Sequence, residues 1–126
     1  MSDKLREIAA AWNDAWNGRD ADVLAAFFAD GATYYEPGLP SGPVAAASGI
    51  KVSAIKTWED WPEVSFEAVS ILVDGSTIAV EWKSSATHKS GRALTLEGVD
   101  ILELKDDKIV SCRVYFDIHA RKLALE

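Results

Sequence analysis

The sequence predicts an α+β domain in which helices cover one face of a curved antiparallel sheet. Two observations favour this class. Helix-like spacing of apolar residues dominates the first half of the chain, whereas long β-forming segments separated by short turns dominate the second half. The length of 126 residues, with 48% hydrophobic residues, is typical of one domain, which would span residues 1–126.

Two helices are predicted at the start of the chain. From Asp3 to about Asn17, apolar residues recur at intervals of three and four, which places them along one helix face. Asp20 then offers an N-cap for a second, short helix that includes Phe28 and ends near residues 29–31.

A strand, a loop and a third helix follow. Residues 32–36 are rich in β-forming types and predict a short strand, and the proline-rich residues 37–43 predict an irregular loop. The third helix is predicted to begin at Ser48 or Gly49. It ends before the Trp-Pro pair that includes Pro62, because the residue before a proline disfavours helical backbone.

Four long strands complete the predicted sheet. The turns between them are short enough for hairpins, so neighbouring strands should run antiparallel. The predicted strands are residues 65–74, 77–88, 92–105 and 108–118. Side chains alternate between the two faces of a strand, so the more apolar column of each strand is assigned to the core.

This alternation places an aspartate among leucines. Asp100 shares its column with Leu96 and Leu102, which predicts that it faces inward. A carboxylate removed from water must be paired, hydrogen-bonded or protonated, and a protonated acid in an apolar pocket is a hydrogen-bond donor. The alternative is that Asp100 merely bonds a neighbouring group or lies near a wet rim of the core.

The same alternation assigns faces in the other strands. The inward column of the second long strand ends at His88, whose charge changes near neutral pH, so His88 is a candidate acid or base unless the hairpin turn leaves it exposed. In the last strand the inward column runs from Val110 through Cys112 to Phe116. Asp117 then points outward or lies past the end of the strand.

Several segments carry a family resemblance. Residues 12–20, WNDAWNGRD, and residues 28–37, FADGATYYEP, resemble the opening of the nuclear transport factor 2-like superfamily, and most of all its SnoaL-like and ketosteroid isomerase-like branch. The resemblance continues through residues 49–50, 78–82, 98–104 and 108–117. It implies a cystatin-like cone, in which a bent antiparallel sheet wraps around three N-terminal helices.

The resemblance also implies roles for three residues. Ketosteroid isomerases carry a catalytic carboxylate just before the proline that follows the short strand, and Glu36 occupies that place, where those enzymes usually have Asp. They hold a protonated aspartate at the position that Asp100 matches. Their first-helix tyrosine donor corresponds to Trp12, whose indole N–H can donate but cannot exchange a proton at neutral pH.

These residues suggest a proton-transfer site. Removing a proton beside a carbonyl needs a base within hydrogen-bond reach and donors aimed at the oxygen where charge develops. Glu36 is the predicted base, Asp100 the predicted acid and His88 an additional candidate, unless Glu36 only faces water. Six further residues are predicted to line the pocket, although large aromatics are often plain core: Trp12, Tyr34, Trp58, Trp82, Cys112 and Phe116.

Composition excludes several partners and groups. A net charge of −7 disfavours binding to nucleic acids and to anionic membranes. A lone cysteine forms no internal disulfide, no Cys/His spacing predicts a metal site, and no glycine-rich nucleotide motif predicts a cofactor. The N-terminal residues lack the apolar core of a signal peptide, so a cytoplasmic location is expected.

The leading hypothesis is therefore a cofactor-free enzyme that acts on a small hydrophobic carbonyl-containing molecule by general acid/base proton transfer, as an isomerase, cyclase or dehydratase. The alternative is a non-catalytic ligand-binding or dimerisation module of the same fold. Epoxide hydrolysis, known in another branch of the superfamily, is disfavoured because Gly98 stands where that branch has an arginine. Apolar residues in the outward columns, such as Val99, Ile101 and Tyr115, also predict a homodimer.

Overall fold

The secondary structure follows the helix-then-strand order that the sequence predicts. A computed structural model describes residues 2–39 and 41–126. Its elements are α1 (Ser2–Gly18), α2 (Ala21–Ala25), β1 (Phe28–Tyr35), β2 (Val44–Ala45), α3 (Ala46–Asp60), β3 (Glu63–Asp74), β4 (Thr77–Thr87), β5 (Ala93–Lys105), β6 (Lys108–Phe116) and α4 (Ile118–Ala124). None of the helices in this described part is both long and apolar enough to cross a membrane.

One sheet contains all six strands, in the order β2-β1-β6-β5-β4-β3. Strands β3 to β6 form the predicted antiparallel meander, and shifts of register within the β3–β4 and β5–β6 pairs mark bulges that bend the sheet. The predicted α+β class with a curved sheet is confirmed. The pairing of β1 with β6 is parallel, which is possible because no hairpin joins these two strands.

Helix α1 is fastened across the concave face of the sheet by two amide side chains. Asn17 accepts the backbone N–H of Phe66 over 2.8 Å and donates to the carbonyl oxygen of the same residue over 2.9 Å. Asn13 donates to that carbonyl oxygen over 3.2 Å. These bonds satisfy a backbone position of β3 and hold the helix at a fixed height above the strand.

Two boundaries near the start of the chain differ from the prediction. Helix α2 ends at Ala25, and Phe28 belongs to β1, where it lies opposite Ile109 of β6. The short strand β2 lies between the predicted loop and the predicted third helix, where the sequence predicts no element; it forms because Ala45 pairs with Thr33 of β1. Helix α3 accordingly begins at Ala46 rather than at Ser48. In each case strand pairing over a distance overrides the local apolar spacing.

Strand β6 breaks the predicted alternation near its start. Cys112 and Val114 are buried as predicted, but Ile109 is fully buried and Val110 is 36% exposed. Leu104 faces Ile109 while the neighbouring Glu103 faces Ser111, so β6 contains one extra residue there. The prediction that Val110 faces inward is therefore wrong.

A fourth helix closes the chain and was not predicted. Strand β6 ends at Phe116, and Asp117 caps α4 by accepting the backbone N–H groups of His119 and Ala120 over 3.0 and 3.1 Å. Asp117 thus lies past the end of the strand, as one of the two expected placements stated. The signal was present in the sequence, since a capping aspartate followed by Arg121 and Lys122 in the last turn is typical of a short helix.

Candidate active site

A cavity of about 650 Å³ lies between the helices and the concave face of the sheet. This volume suits a small organic molecule. Some residues of its wall, such as Tyr34 and Trp82, are buried, and others, such as Val52 and Lys122, are exposed. The cavity therefore has a closed end at the buried residues and a mouth at the exposed ones. Most side chains in the wall are aliphatic or aromatic, which favours a hydrophobic ligand.

Asp100 lies at the closed end of the cavity. It occupies the middle of β5 between Val80 and Val114 of the flanking strands, faces inward as the alternation predicts, and is 6% exposed. The indole N–H of Trp12 donates to its Oδ2 over 2.9 Å, and that of Trp82 donates to its Oδ1 over 2.8 Å. Both carboxyl oxygens therefore have a neutral donor, and within the described part of the chain no cation forms a salt bridge with this carboxyl.

The surroundings of Asp100 shift its titration toward neutral pH. Burial raises the pKa of Asp100 to about 6, while the N–H groups of Trp12 and Trp82 act in the opposite direction because they stabilise the carboxylate. Asp100 is accordingly a buried carboxyl group that exchanges its proton closer to neutral pH than an exposed aspartate does.

Gly98 gives Trp82 access to this carboxyl. Trp82 lies directly opposite Gly98 in the β4–β5 pair, and its ring covers the backbone there. A Cβ atom at Gly98 would lie 2.8 Å from Cε2 of Trp82 and 2.6 Å from the carbonyl oxygen of Tyr115. A side chain at this position would push the indole away, so the glycine is required for the bond to Asp100.

Trp12 acts on Asp100 from behind the cavity wall. It is fully buried, and its ring makes edge contacts with Trp16, Phe27 and Phe28 at centroid distances of 6.0, 5.6 and 5.7 Å. These contacts fix the direction of its N–H. That N–H points to Asp100, and Trp12 is not among the residues that line the cavity, so its contact with the site runs through the carboxyl of Asp100.

Glu36 lines the same cavity as Asp100. It follows β1 directly, is half-buried, and its Oε2 accepts the backbone N–H of Gly38 over 2.9 Å. A Cβ atom added to Gly38 would lie 2.6 Å from Oε1 of Glu36 and 3.2 Å from Nη2 of Arg121. The turn therefore anchors one oxygen of Glu36 and brings the other near a guanidinium group.

A pair of hydroxyl groups lies in the wall between β1 and α3. The hydroxyl of Tyr34 and that of Ser53 are 3.2 Å apart and share one hydrogen bond. Burial raises the pKa of Tyr34 well above its usual range, so the phenol keeps its proton. Two hydroxyl protons and one shared bond leave one O–H available to a ligand, and both residues line the cavity.

His88 lies in the wall where β4 ends. Its Nδ1 accepts the backbone N–H of Ser90 over 3.1 Å, which places the proton of the neutral ring on Nε2. The Trp61 ring and the imidazole pack in a T-shaped arrangement with 4.9 Å between the ring centroids. His88 therefore lines the same cavity as Glu36 and Asp100.

The predicted pocket residues divide into two groups. Tyr34, Trp82 and Phe116 line the cavity. Cys112 and Trp58 are not among its lining residues. Cys112 is buried in the core, where burial raises the pKa of its thiol well above the usual range, and Trp58 packs edge-on against Trp16 at 6.1 Å.

Sequence reasoning missed the contribution of α4. Arg121 and Lys122 of α4 and Leu125 just after it all line the cavity, and they come from residues 119–126, to which the sequence analysis assigns no element. It also missed Ser84, a buried hydroxyl in the inward column of β4. Within residues 2–39 and 41–126, no group of three or more His, Cys, Asp or Glu side chains is arranged to ligate a metal.

Residues 9–112 match the profile of the SnoaL-like domain. The chain belongs to the SnoaL-like family. The resemblance to the nuclear transport factor 2-like superfamily, with its SnoaL-like and ketosteroid isomerase-like branch, is thereby confirmed. No curated protein is similar enough in sequence to match this SnoaL-like domain.

Solved structures share its fold at low sequence identity. AclR, a proposed hydroxylase from Streptomyces galilaeus, is 18% identical with a TM-score of 0.84, over 99% of this SnoaL-like domain and 85% of AclR. A proposed SnoaL-like polyketide cyclase from Jannaschia sp. CCS1 is 17% identical with a TM-score of 0.84, over 96% and 90% of the two chains. A proposed polyketide cyclase from Xanthomonas campestris is 12% identical with a TM-score of 0.88, over 98% of each chain. One architecture thus carries different proposed activities, and the site must decide the function.

Proposed function

We propose that this SnoaL-like domain is a cofactor-free enzyme that transfers protons on a small hydrophobic carbonyl compound, as an isomerase, cyclase or dehydratase does. The observation that supports it most is the environment of Asp100. A carboxyl group at the closed end of an apolar cavity, with a pKa of about 6, is poised to accept and return a proton near neutral pH.

In the proposed reaction, the carboxylate of Asp100 removes a proton from the carbon beside the carbonyl. The electron pair of that C–H bond moves into the carbonyl group and leaves an enolate, and Asp100 now holds the proton. Returning it to another carbon, or to an oxygen that leaves as water, completes an isomerisation or a dehydration. The free O–H of the Tyr34–Ser53 pair is the proposed donor to the enolate oxygen.

Glu36 supplies a second carboxylate to the same chamber. When Asp100 is protonated it serves as the acid and Glu36 serves as the base, which is the assignment that the sequence suggests. Glu36 is half-exposed and so can return its proton to water, whereas Asp100 is closed off from solvent. His88, in the same wall, is a further donor through its Nε2–H.

The proposal is tested by proton exchange on a simple ketone. In deuterated water, the protein should speed the replacement of the α-protons of 2-tetralone, followed by proton NMR. Asp100→Asn should lower the rate by about 100-fold, since that is a common contribution of a positioned acid or base. Asp74→Asn, which alters an exposed aspartate outside the cavity, is the matched control and should match the unaltered protein.

One observation favours the alternative of a non-catalytic ligand-binding module. The indole of Trp12 is directed at Asp100 and not into the cavity, so the site lacks the first-helix donor that the resemblance implies. Binding of 2-tetralone without faster exchange would support this alternative. Exchange that is equally fast in Asp100→Asn and Glu36→Gln would reject the acid/base assignment.

We also propose that the domain forms a homodimer through the outer face of its sheet. Val69, Leu72 and Tyr115 expose 56%, 65% and 45% of their surface there. Apolar side chains of this size are uncommon on a fully solvated face. A sedimentation mass equal to one chain at micromolar concentration would contradict this.

A further inference from the structure

Helix α4 brings two cationic side chains to the wall of the cavity. Arg121 and Lys122 lie in its last turn, and both line the cavity. The guanidinium carbon of Arg121 lies 4.9 Å from the ring centroid of Phe116, so the ring supports one face of the cation. Arg121 is therefore held in position by packing.

These two cations have no close acidic partner. Among the described residues, no carboxylate oxygen lies within 4.0 Å of a charged nitrogen of Arg121 or Lys122, whereas Lys56 in the same wall is bound to Asp60 at 2.9 Å. The chain has 20 acidic residues against 13 basic ones, so acidic partners are not scarce. An unpaired guanidinium facing an apolar cavity is a binding group for an anion.

Asp117 and Glu36 lie near Arg121 but leave it able to bind an anion. Asp117 uses its carboxylate to cap α4. Glu36 lies near Arg121, but one of its oxygens accepts the N–H of Gly38 over 2.9 Å and it forms no ion pair with the guanidinium. Arg121 therefore keeps free N–H groups for a ligand.

Aromatic rings separate this cation from Asp100. The ring of Phe116 lies beside Arg121, the ring of Trp82 lies 6.2 Å beyond it, and Trp82 touches Asp100. A molecule that reaches from Arg121 to Asp100 must therefore extend along the rings of both Phe116 and Trp82. The carboxylate of Asp100 repels an anion at the closed end, so an anionic group would point toward Arg121.

We propose that the substrate is a flat hydrophobic ketone that also carries a carboxylate, and that Arg121, with Lys122 beside it, binds this carboxylate while the ketone reaches Asp100. The part of this proposal that places the ketone at Asp100 depends on the proposed function. The part that places the carboxylate at Arg121 does not depend on it, because it is argued only from the contacts of Arg121.

Binding of a matched pair of probes tests this. The acid is 6-acetyl-2-naphthoic acid, which has a ketone and a carboxylate at opposite ends of two fused rings, and the neutral partner is its primary amide. By calorimetry at neutral pH and low salt, the acid should bind about tenfold more tightly than the amide, the range expected for a charge-assisted contact. Arg121→Gln should remove this advantage and leave the affinity of the amide unchanged.

Two further variants complete the design. Lys105→Gln removes one positive charge at an exposed position outside the cavity and should leave the advantage of the acid intact. Glu36→Gln should preserve or increase it, because this change removes a negative charge from the cavity wall that the bound carboxylate would face. Loss of the advantage in Lys105→Gln would mean that only net charge matters, and this would overturn the proposal.

Three other outcomes would also overturn the proposed carboxylate site. The first is equal affinity for the acid and the amide, and the second is an advantage of the acid that persists when Arg121→Gln is combined with Lys122→Gln. The third is no binding of the acid up to about 1 mM, a concentration that corresponds to a binding free energy of only about 4 kcal/mol. Asp100→Asn separates this test from the proposed function. It should abolish exchange of the acetyl protons of the bound acid while keeping the preference for the acid over the amide.

Discussion

The indole N–H of Trp82 reaches Oδ1 of Asp100 over 2.8 Å although the two residues are not direct partners in the sheet. Trp82 is paired with Gly98, two positions before Asp100, and its ring runs diagonally across the strand. This diagonal path exists because Gly98 has no side chain. The polar group at the closed end of the cavity thus depends on the absence of atoms at a neighbouring position.

Gly98→Ala should therefore destabilise the protein. The added methyl group meets both the Trp82 ring and a backbone oxygen, and overpacking of this kind costs about 1–3 kcal/mol. Urea unfolding measures the loss. Gly18→Ala is the matched control, because nothing lies within 4 Å of the added atom there, and an equal loss in both variants would contradict this explanation.

The stability of the protein should fall as the pH rises through the titration of Asp100. The native pKa of about 6 exceeds the ordinary value of 3.8, so the native state binds this proton more tightly than the unfolded chain does. The contribution of the protonated group is fully present below about pH 4. It decreases between about pH 4 and pH 6, by about 3 kcal/mol in total.

Comparison with Asp100→Asn isolates this effect. Asp60 has a lowered pKa because Lys89 and Lys56 bind it, and it contributes the opposite slope in acid. The difference in unfolding free energy between the variant and the unaltered protein cancels that background. A difference that is constant from about pH 4 to pH 7 would show that Asp100 titrates normally.

Trp12→Phe should raise the pKa of Asp100 further. The substitution keeps most of the ring but removes the N–H that stabilises the carboxylate. A lost hydrogen bond to a buried charge costs about 1.5–3 kcal/mol at neutral pH and less in acid, where the group is protonated. The pH profile of tetralone exchange should move to higher pH together with the stability profile.

Trp58→Phe is the control for that change. The N–H of Trp58 is buried and has no hydrogen-bond partner among the described residues, so its removal should leave stability unchanged or slightly increase it. Neither pH profile should move. Equal losses in the two variants would indicate that ring size, and not the N–H group, determines the outcome.

Removing the cap of α4 should weaken the proposed carboxylate site. Asp117→Ala leaves two backbone N–H groups without their acceptor, which costs about 1 kcal/mol and loosens the helix that carries Arg121. Binding of 6-acetyl-2-naphthoic acid should weaken more than binding of its amide. Asp20→Ala removes the corresponding cap of α2 and should lower stability to a similar extent without changing the preference between the probes.

The sequence was informative wherever local chemistry decides the structure. Period-two alternation in β5 was enough to turn Asp100 inward, and short turns were enough to order the meander. The sequence pattern was misleading where pairing with a strand distant in the sequence determines the secondary structure. The spacing of apolar residues assigned Phe28 to a helix, but Phe28 pairs with β6. The partners of the Asp100 carboxyl could not be predicted either, because the direction of an indole N–H depends on the packing of its neighbours.

The helix carrying Arg121 lies outside residues 9–112, the part of the chain that matches the family profile. Asp100, Trp12 and Trp82 lie within that part, on β5, α1 and β4. Substitutions in the last ten residues can therefore alter the cation-bearing end of the cavity without changing the contacts of Asp100, and a library that seeks altered ligand selectivity should begin there.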